Sequence, residues 1–241
     1  MSKQIPFRYD FVGSFLRPAN LKAAREGFEN GKISAYELKA VEDKEIERLI
    51  NKQKELGYHV ITDGEFRRAT WHLDFMWGFD GVAHEKTKTG LPFHGEDAMI
   101  DDTYLCGKVG LSKVHPFVEH FKFVKQFEDE NTVAKQTIPA PAQFIEQMIM
   151  PFALENTSKY YDSTHKLAED IANGYKKVIA DLYDAGCRNL QLDDCSWGML
   201  VDPRAEELFG TDKKGLKDIQ ELLVEINNLA IEDKPNDMTI T

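Results

Sequence analysis

The chain has 241 residues, and 42% of them are hydrophobic, which is enough to bury the core of one large α/β domain. Its formal net charge of -11 argues against a nucleic-acid partner, because such binding relies on Lys and Arg to neutralise phosphates. No apolar run approaches the roughly 20 residues that a membrane helix needs. From the length we expect a single domain over residues 1–241. The three cysteines lack CxxC spacing and no secretion signal is recognised, so we expect the protein in the cytoplasm.

Strand patterns and long helix patterns alternate along the chain. The predicted elements, in chain order, are a strand over 11–15, helices over 20–28 and 34–56, a strand over 58–62, loops with a hairpin-like excursion over 70–113, a strand over 135–141, a helix over 163–185, a strand over 189–193, a helix over 215–230 and a strand over 238–241. Ser34 and Glu37 have the spacing of a capping box, and Gly57 has the position of a helix terminator. The alternation implies right-handed crossovers and a parallel sheet.

Polar residues follow three of the predicted strands. The carboxyl ends of parallel strands meet at one edge, where α/β proteins place their sites. The first strand ends at Gly13 and Ser14, where glycine permits close approach of a ligand and the hydroxyl can donate or accept a hydrogen bond. An ordinary turn from strand to loop is the alternative interpretation.

Two acids and two cations follow the second predicted strand, in the order Asp63, Glu65, Arg67 and Arg68. These residues suit a site for a polar ligand, although ion pairs on an exposed loop are the alternative. His72 comes soon after, within an aromatic segment, and is a second candidate to line the same end of the sheet. Packing of that segment against the core is its alternative role.

The predicted strand at 189–193 carries an acid directly after an apolar run. Its alternation places Leu190 and Leu192 on one face and Gln191 and Asp193 on the other. A carboxylate at the end of a buried strand is costly unless it has a partner, so Asp193 is a strong candidate for the site. Asp194 has a weaker claim, because a cap on the following segment would explain it equally well.

Several familiar sequence motifs are absent. The seven histidines show no HExxH spacing, and neither GxGxxG nor GxxxxGK[ST] follows a strand. Ser14 is not in a GxSxG elbow. No residue is therefore assigned a catalytic role from its local pattern.

Four motifs in order resemble the cobalamin-independent methionine synthase family, most closely its short members with a single barrel. They are the segments Phe11–Pro18, Ile61–Arg68, Trp71–Phe75 and Leu190–Asp194, and the resemblance spans nearly the whole chain. It implies a TIM (β/α)8 barrel, a methyltransferase that converts homocysteine to methionine, and a catalytic zinc that activates the thiol. The methyl donor implied by the family is a folate.

The resemblance also implies roles for particular residues. Ser14 is expected to contact the amino-acid part of homocysteine or methionine, with the backbone of Val12 and Gly13 beside it. Glu65 and Asp193 are expected to hold the substrate ammonium group. Two anionic groups from neighbouring strand ends would suit one buried cation.

The chain departs from the family pattern at three positions. Ala140–Gln143 and then Gln147 stand where the large enzymes have Gly-Pro-Val-Thr and then tryptophan. Met199 stands where they have a second carboxylate after the strand at 189–193. These differences leave the methyl donor open.

The last expectation concerns the strand at Met238–Thr241. In the family it leads into a His-x-Cys pair that supplies two zinc ligands, and a Glu and a second Cys follow. We therefore expect a chain truncated before its zinc ligands, with about six of eight barrel strands and no metal bound within it. Open barrel edges would favour a homo-oligomer. Another thiol-directed enzyme of the superfamily and a non-catalytic, self-associating fragment are the alternative functions.

Overall fold

The computed structural model describes residues 10–87, 91–93, 96–98 and 101–241. Its helices are α1 (Ala19–Glu29), α2 (Ala35–Glu55), α3 (Leu73–Met76), α4 (Pro116–Lys125), α5 (Pro141–Ile149), α6 (Pro151–Thr157), α7 (Thr164–Asp184), α8 (Ser196–Leu200), α9 (Ala205–Leu208) and α10 (Lys213–Ile231). Its strands are β1 (Val60–Ile61), β2 (Asp80–Glu85), β3 (Leu91–Phe93), β4 (Glu96–Ala98), β5 (Asp102–Gly110), β6 (Val133–Ala134), β7 (Gln136–Pro139), β8 (Asn189–Asp193) and β9 (Thr239–Ile240).

Short parallel strands form the centre of the fold. β1 pairs with β6, and β7, β8 and β9 pair in that order, with every one of these ladders parallel. Lys135 alone separates β6 from β7, so this segment joins the two ladders. α7 and α10 pack against each other beside the sheet, and their buried residues belong to the main core. The predicted α/β class and the parallel sheet are confirmed.

The predicted strand over residues 11–15 is wrong. This segment has no ladder partner in the structure, and Gly13 breaks it with a φ of +77°. A single backbone hydrogen bond of 3.1 Å, from Phe15 N to Gly64 O, joins it to the loop after β1. The described part of the chain thus has four strand positions in parallel order, namely β1, β6–β7, β8 and β9. The incomplete TIM barrel with about six of eight strands remains a prediction.

The predicted hairpin-like excursion is confirmed. β2 pairs with β5 and β3 pairs with β4, both antiparallel. The register of the first pair shifts between Asp80 and Val82, where Gly81 has a φ of +79°. A Cβ at Gly81 would lie 2.1 Å from the carbonyl oxygen of Lys108, so only glycine allows this close approach of the two strands.

All four predicted helices lie close to their predicted bounds, and they correspond to α1, α2, α7 and α10. The capping box of α2 is present, because Ser34 Oγ accepts from Glu37 N at 3.2 Å and Glu37 Oε2 accepts from Ser34 N at 2.8 Å. Gly57 follows α2 with a φ of +80°. Among the described residues, none of the helices has both the length and the apolar character required to cross a bilayer.

The capping box gives a first testable prediction. Replacing Ser34 by alanine removes the side-chain acceptor for an otherwise unpaired helix N–H, and should lower the free energy of unfolding by about 1 kcal/mol. Urea denaturation followed by circular dichroism measures the change. Replacing Ser158 by alanine is the matched control, since that hydroxyl lies after α6 and donates to Glu155 O at 2.9 Å. An S34A protein as stable as the wild type would contradict the assignment.

Candidate functional site

The loop after β1 turns sharply and places Glu65 in the interior. Gly64 and Glu65 have φ values of +63° and +60°, and Glu65 is the non-glycine residue with positive φ in the described part of the chain. Such a conformation costs on the order of 1 kcal/mol and tends to occur where function requires it. Asp63 Oδ1 accepts from Glu65 N at 2.8 Å and supports the turn. The Glu65 side chain is consequently only 1% exposed.

Arg68 is the cationic partner of Glu65. One of its terminal nitrogens lies 3.4 Å from Glu65 Oε1, and another donates to Thr137 Oγ1 at 2.9 Å. The guanidinium also lies over the Phe117 ring, 4.6 Å from its centroid. Arg68 is 1% exposed, so this ion pair is fully buried. The sequence placed an acid and a cation three residues apart, but that spacing alone did not show that Arg68 turns inward.

A second chain of polar contacts crosses the neighbouring strands. Lys135 Nζ donates to Gln191 Oε1 at 2.7 Å and also contacts Asp10 Oδ2 at 2.6 Å. Gln191 in turn donates from Nε2 to Asp193 Oδ1. The parallel register places Thr137 beside Gln191, so the contacts of Glu65 and those of Asp193 lie on adjacent strands. The sequence analysis did not single out these two residues, because Thr137 lies inside β7 and Lys135 lies between β6 and β7, so neither follows the end of the predicted strand.

One oxygen of this site lacks a partner. Thr137 Oγ1 lies 3.3 Å from Glu65 Oε1, whereas Glu65 Oε2 is buried without any hydrogen bond. Burial raises the pKa of Glu65, and the nearby Asp63 and Asp193 raise it further, while Arg68 acts in the opposite direction. Burial likewise raises the pKa of Asp193. Glu65 Oε2 can therefore accept one more hydrogen bond.

The charges of the site lead to the same conclusion. Asp63 and Asp193 both act on Glu65, and two cations, Arg68 and Lys135, act on these acids, while Lys135 also pairs with Asp10. The four carboxylates therefore outnumber the two cations when all six groups are ionised. A buried carboxylate without a partner is unfavourable, so a bound cation would stabilise this arrangement.

The segment that carries Val12, Gly13 and Ser14 lies against the same loop. Val12 is 81% exposed and Ser14 is also exposed. Arg17 anchors the segment by donating to Glu65 O at 3.3 Å and to Arg68 O at 2.9 Å. The structure therefore brings the predicted backbone segment next to Glu65, with the Ser14 hydroxyl accessible from solvent.

The three further candidates have different surroundings. Arg67 pairs with Glu42 at 3.2 Å and with Asp43, both on α2, so its charge is already compensated on the far side of the loop. Asp194 accepts from Ser196 N at 3.2 Å and from Asn227 Nδ2 at 3.0 Å, which is the capping role considered from sequence. Both residues hold local structure in this conformation.

His72 packs against Trp71, with the two ring centroids 4.4 Å apart. Its Nδ1 is buried without a hydrogen-bond partner, and burial lowers the pKa of His72 to about 4. Arg68 donates to Trp71 O at 3.2 Å, which keeps this segment beside the buried ion pair. The imidazole is thus neutral near pH 7 and lies close to the site without pairing to its carboxylates.

Two polar residues on the first turns of α5 were not found from sequence as a site. Gln143 Nε2 donates to Glu146 Oε2 at 3.0 Å, while Gln143 Oε1 and Glu146 Oε1 are buried without partners. Burial and the Asp194 charge raise the pKa of Glu146 to about 7. The sequence did offer one indication of these residues, because they lie in the segment where the chain departs from the family pattern.

A zinc site is not formed by the described residues. No group of three or more His, Cys, Asp or Glu side chains among them has the geometry to hold a metal ion. Cys195 lies nearest to the acids, and burial together with Asp193, Asp194 and Glu146 raises the pKa of its thiol.

The N-terminal third of the chain matches a known family. Residues 9–89 match the sequence model described as "Cobalamin-independent synthase, Catalytic domain". This range contains the segment around Ser14, the turn at Glu65 and the buried Arg68. The chain is similar to the cobalamin-independent methionine synthase family over this range. The predicted resemblance is thereby confirmed.

Individual relatives extend the similarity along the chain. The chain is 37% identical over 240 residues to the uncharacterized protein YxjH of Bacillus subtilis, and the match covers 99% of this chain and 61% of YxjH. It is 27% identical over 187 residues to a methionine synthase of Sulfurisphaera tokodaii, covering 76% of this chain and 50% of that protein. The chain therefore spans about three fifths of the length of YxjH.

A solved structure supports the fold. A protein of Listeria monocytogenes, provisionally named a vitamin-B12 independent methionine synthase, superposes with a TM-score of 0.76 at 39% identity. The match covers 98% of this chain and 64% of that protein. The fold is thus shown over nearly the whole chain.

Proposed function

We propose that this chain recognises a thiol amino acid, homocysteine or methionine, for methyl transfer to or from its sulfur. Glu65 and Asp193 hold the ammonium group, and the segment of Val12, Gly13 and Ser14 contacts the rest of the amino-acid part. The supporting observation is the buried, unpartnered Glu65 Oε2 beside Asp193. An ammonium group supplies both the missing hydrogen-bond donor and the missing positive charge.

The site's geometry also supports the orientation of the ligand. The proposal is supported by the hydrogen bonds of Arg17 and Phe15, which join the backbone after Gly13 to the Glu65 loop. A zwitterionic amino acid presents a cation and an anion on one carbon, so a carboxylate site next to backbone donors suits it. The side chain with its sulfur then points away from the buried acids.

The remaining components of the reaction stay proposals. A folate is one candidate methyl donor, and zinc activation of the thiol is expected from the family. Unpaired cysteines throughout the chain are in keeping with the cytoplasmic location that we propose. Self-association through sheet edges also remains a prediction.

Calorimetric titration with L-methionine tests the proposal. The wild-type chain should bind, and Glu65→Gln and Asp193→Asn should each weaken binding by about 10- to 100-fold, because each removes a charge-assisted hydrogen bond to the ammonium group. The hydroxy analogue of methionine, which has no ammonium group, should bind the wild type weakly and be much less sensitive to Glu65→Gln.

Glu155→Gln is the matched control, since Glu155 is exposed on α6. It should leave methionine affinity unchanged. The proposal is wrong if the wild type binds neither methionine nor homocysteine, or if both site variants keep full affinity while folded. It is also wrong if the hydroxy analogue binds as tightly as methionine.

A further inference from the structure

Lys135 is a buried cation whose three donors are all used. Its side chain is only 3% exposed. Nζ donates to Asp10 Oδ2 at 2.6 Å and to Phe11 O at 2.5 Å, both in the N-terminal segment. It also donates to Gln191 Oε1 on β8 at 2.7 Å. An ammonium group has three N–H bonds and no acceptor, so these contacts satisfy it and join two distant parts of the chain.

The contact with Lys135 determines the orientation of the Gln191 amide. Because an ammonium group can only donate, Gln191 must turn Oε1 towards Lys135, and Nε2 then faces away from it. Gln191 and Asp193 are two residues apart on β8 and share one face of the strand, which brings Nε2 to Asp193 Oδ1. This bond occupies Oδ1, so Oδ2 is the oxygen that the half-buried Asp193 can offer to a ligand.

The other two contacts of Lys135 hold the chain directly before the segment Val12–Ser14. That segment forms no strand in the described structure, so its backbone depends on contacts of this kind for its position. The Phe11 ring adds packing against Tyr58, with the two ring centroids 4.2 Å apart. Lys135 therefore joins the two halves of the proposed amino-acid site.

The charge of Lys135 acts on the same carboxylate. Burial raises the pKa of Asp193, whereas the hydrogen bond from Gln191 and the charges of Arg68 and Lys135 act against that rise. Arg68 lies 3.4 Å from Glu65, its own ion-pair partner. Lys135 thus favours the anionic form of Asp193, which is the form that binds an ammonium group.

We propose that Lys135 is a positioning residue for the thiol amino acid. Through Gln191 it presents Asp193 Oδ2 to the ammonium group, and through Asp10 it holds the segment Val12–Ser14 beside the carboxylate end of the ligand. This inference rests on the proposed function and adds a residue that contacts no ligand atom itself. Each end of the ligand depends on a different contact of Lys135, so the two ends can be tested separately.

Ligands that lack one end of methionine test these contacts, with affinities measured by ligand-observed NMR. The amine 3-(methylthio)propylamine lacks the carboxylate, and the hydroxy analogue of methionine lacks the ammonium group. Lys135→Met should weaken methionine binding by about tenfold or more and should weaken both analogues. Gln191→Met should weaken methionine and the amine but leave the hydroxy analogue unchanged. Asp10→Ala should weaken methionine and the hydroxy analogue but leave the amine unchanged.

Lys54→Met is the matched control. Lys54 lies on α2, before β1, and pairs with Asp129 at 2.7 Å, so this variant also removes a lysine from a close ion pair. It should change none of the three affinities. Circular dichroism shows whether each variant is folded. If Lys135→Met does not fold, Asp10→Ala still tests the proposal, because the Asp10 side chain is 29% exposed and its loss is tolerated more easily.

The side-chain amide signals of Gln191 report on the same contacts without any ligand. In two-dimensional NMR spectra they are assigned by their loss in Gln191→Met, and they should shift in Lys135→Met but not in Lys54→Met. If they shift as expected and the wild type binds no methionine, the contacts of Lys135 stand and the proposed function fails. The positioning role is wrong if folded Lys135→Met binds methionine as tightly as the wild type. It is also wrong if Gln191→Met and Asp10→Ala weaken all three ligands equally.

Discussion

Replacing Arg68 by methionine is expected to lower the free energy of unfolding by about 3–5 kcal/mol, because the change leaves the Glu65 carboxylate buried without its cation. Both partners of this ion pair are almost completely buried, at 1% and 2% side-chain exposure. The guanidinium also bridges to Thr137 Oγ1 and lies over Phe117, and both contacts are lost. Urea denaturation at pH 7 measures the effect.

A double variant separates the charge from the packing. Adding Glu65→Gln to Arg68→Met removes the stranded carboxylate and should recover part of the lost stability. Arg204→Met is the matched control, because Arg204 pairs with Asp202 on the surface and should change stability far less. An Arg68→Met protein within 1 kcal/mol of the wild type would show that the pair is not buried as described.

Replacing Glu146 by glutamine should stabilise the protein at alkaline pH by up to about 3 kcal/mol. The pKa of Glu146 is raised to about 7 in the folded state from an ordinary value of 4.5. Between these values the folded chain holds a proton that the unfolded chain has released, so wild-type stability falls as pH rises through this window. One pKa unit corresponds to about 1.4 kcal/mol, and glutamine removes the penalty.

The prediction is checked by the difference in unfolding free energy between Glu146→Gln and the wild type at several pH values. That difference should be smallest near pH 4.5, should grow up to about pH 7 and should then level off. Glu155→Gln, at an exposed position, should show a difference that stays flat with pH. A flat difference for Glu146→Gln would mean that the pKa of Glu146 is not raised.

The long helices could be predicted because their signals are local. The capping box at Ser34 and the glycines at 57 and 186 act within a few residues, and the apolar spacing of α2, α7 and α10 repeats over several turns. α5 was missed because its nine residues span fewer than about three turns, which is too short for the helical period to repeat clearly. The strand predicted over 11–15 is wrong for a different reason, because a short apolar run becomes a strand only if a neighbouring strand pairs with it.

The residues of the candidate site also differ in whether the sequence could predict them. Glu65 and Asp193 could be predicted because each follows an apolar strand directly, where a polar side chain must face the end of the sheet. Lys135 and Thr137 could not, because their partners are distant in sequence, as with the separation of 72 residues between Thr137 and Glu65. The inward direction of Arg68 could not be predicted either, because it depends on Thr137, 69 residues away. Arg67 shows the limit most clearly, because it is adjacent to Arg68 in sequence but faces α2 instead.

The sequence by itself determined the α/β class and the resemblance to the methionine synthase family, because both depend on the order of local patterns along the chain. Only the tertiary structure decided which acids are satisfied. Asp194 accepts hydrogen bonds from its neighbours, and Arg67 forms ion pairs with acids of α2. Glu65, Gln143 and Glu146, in contrast, each have one buried oxygen without a hydrogen-bond partner. That distinction depends on which side chains reach one another across the sheet, and the order of residues alone does not specify those distances.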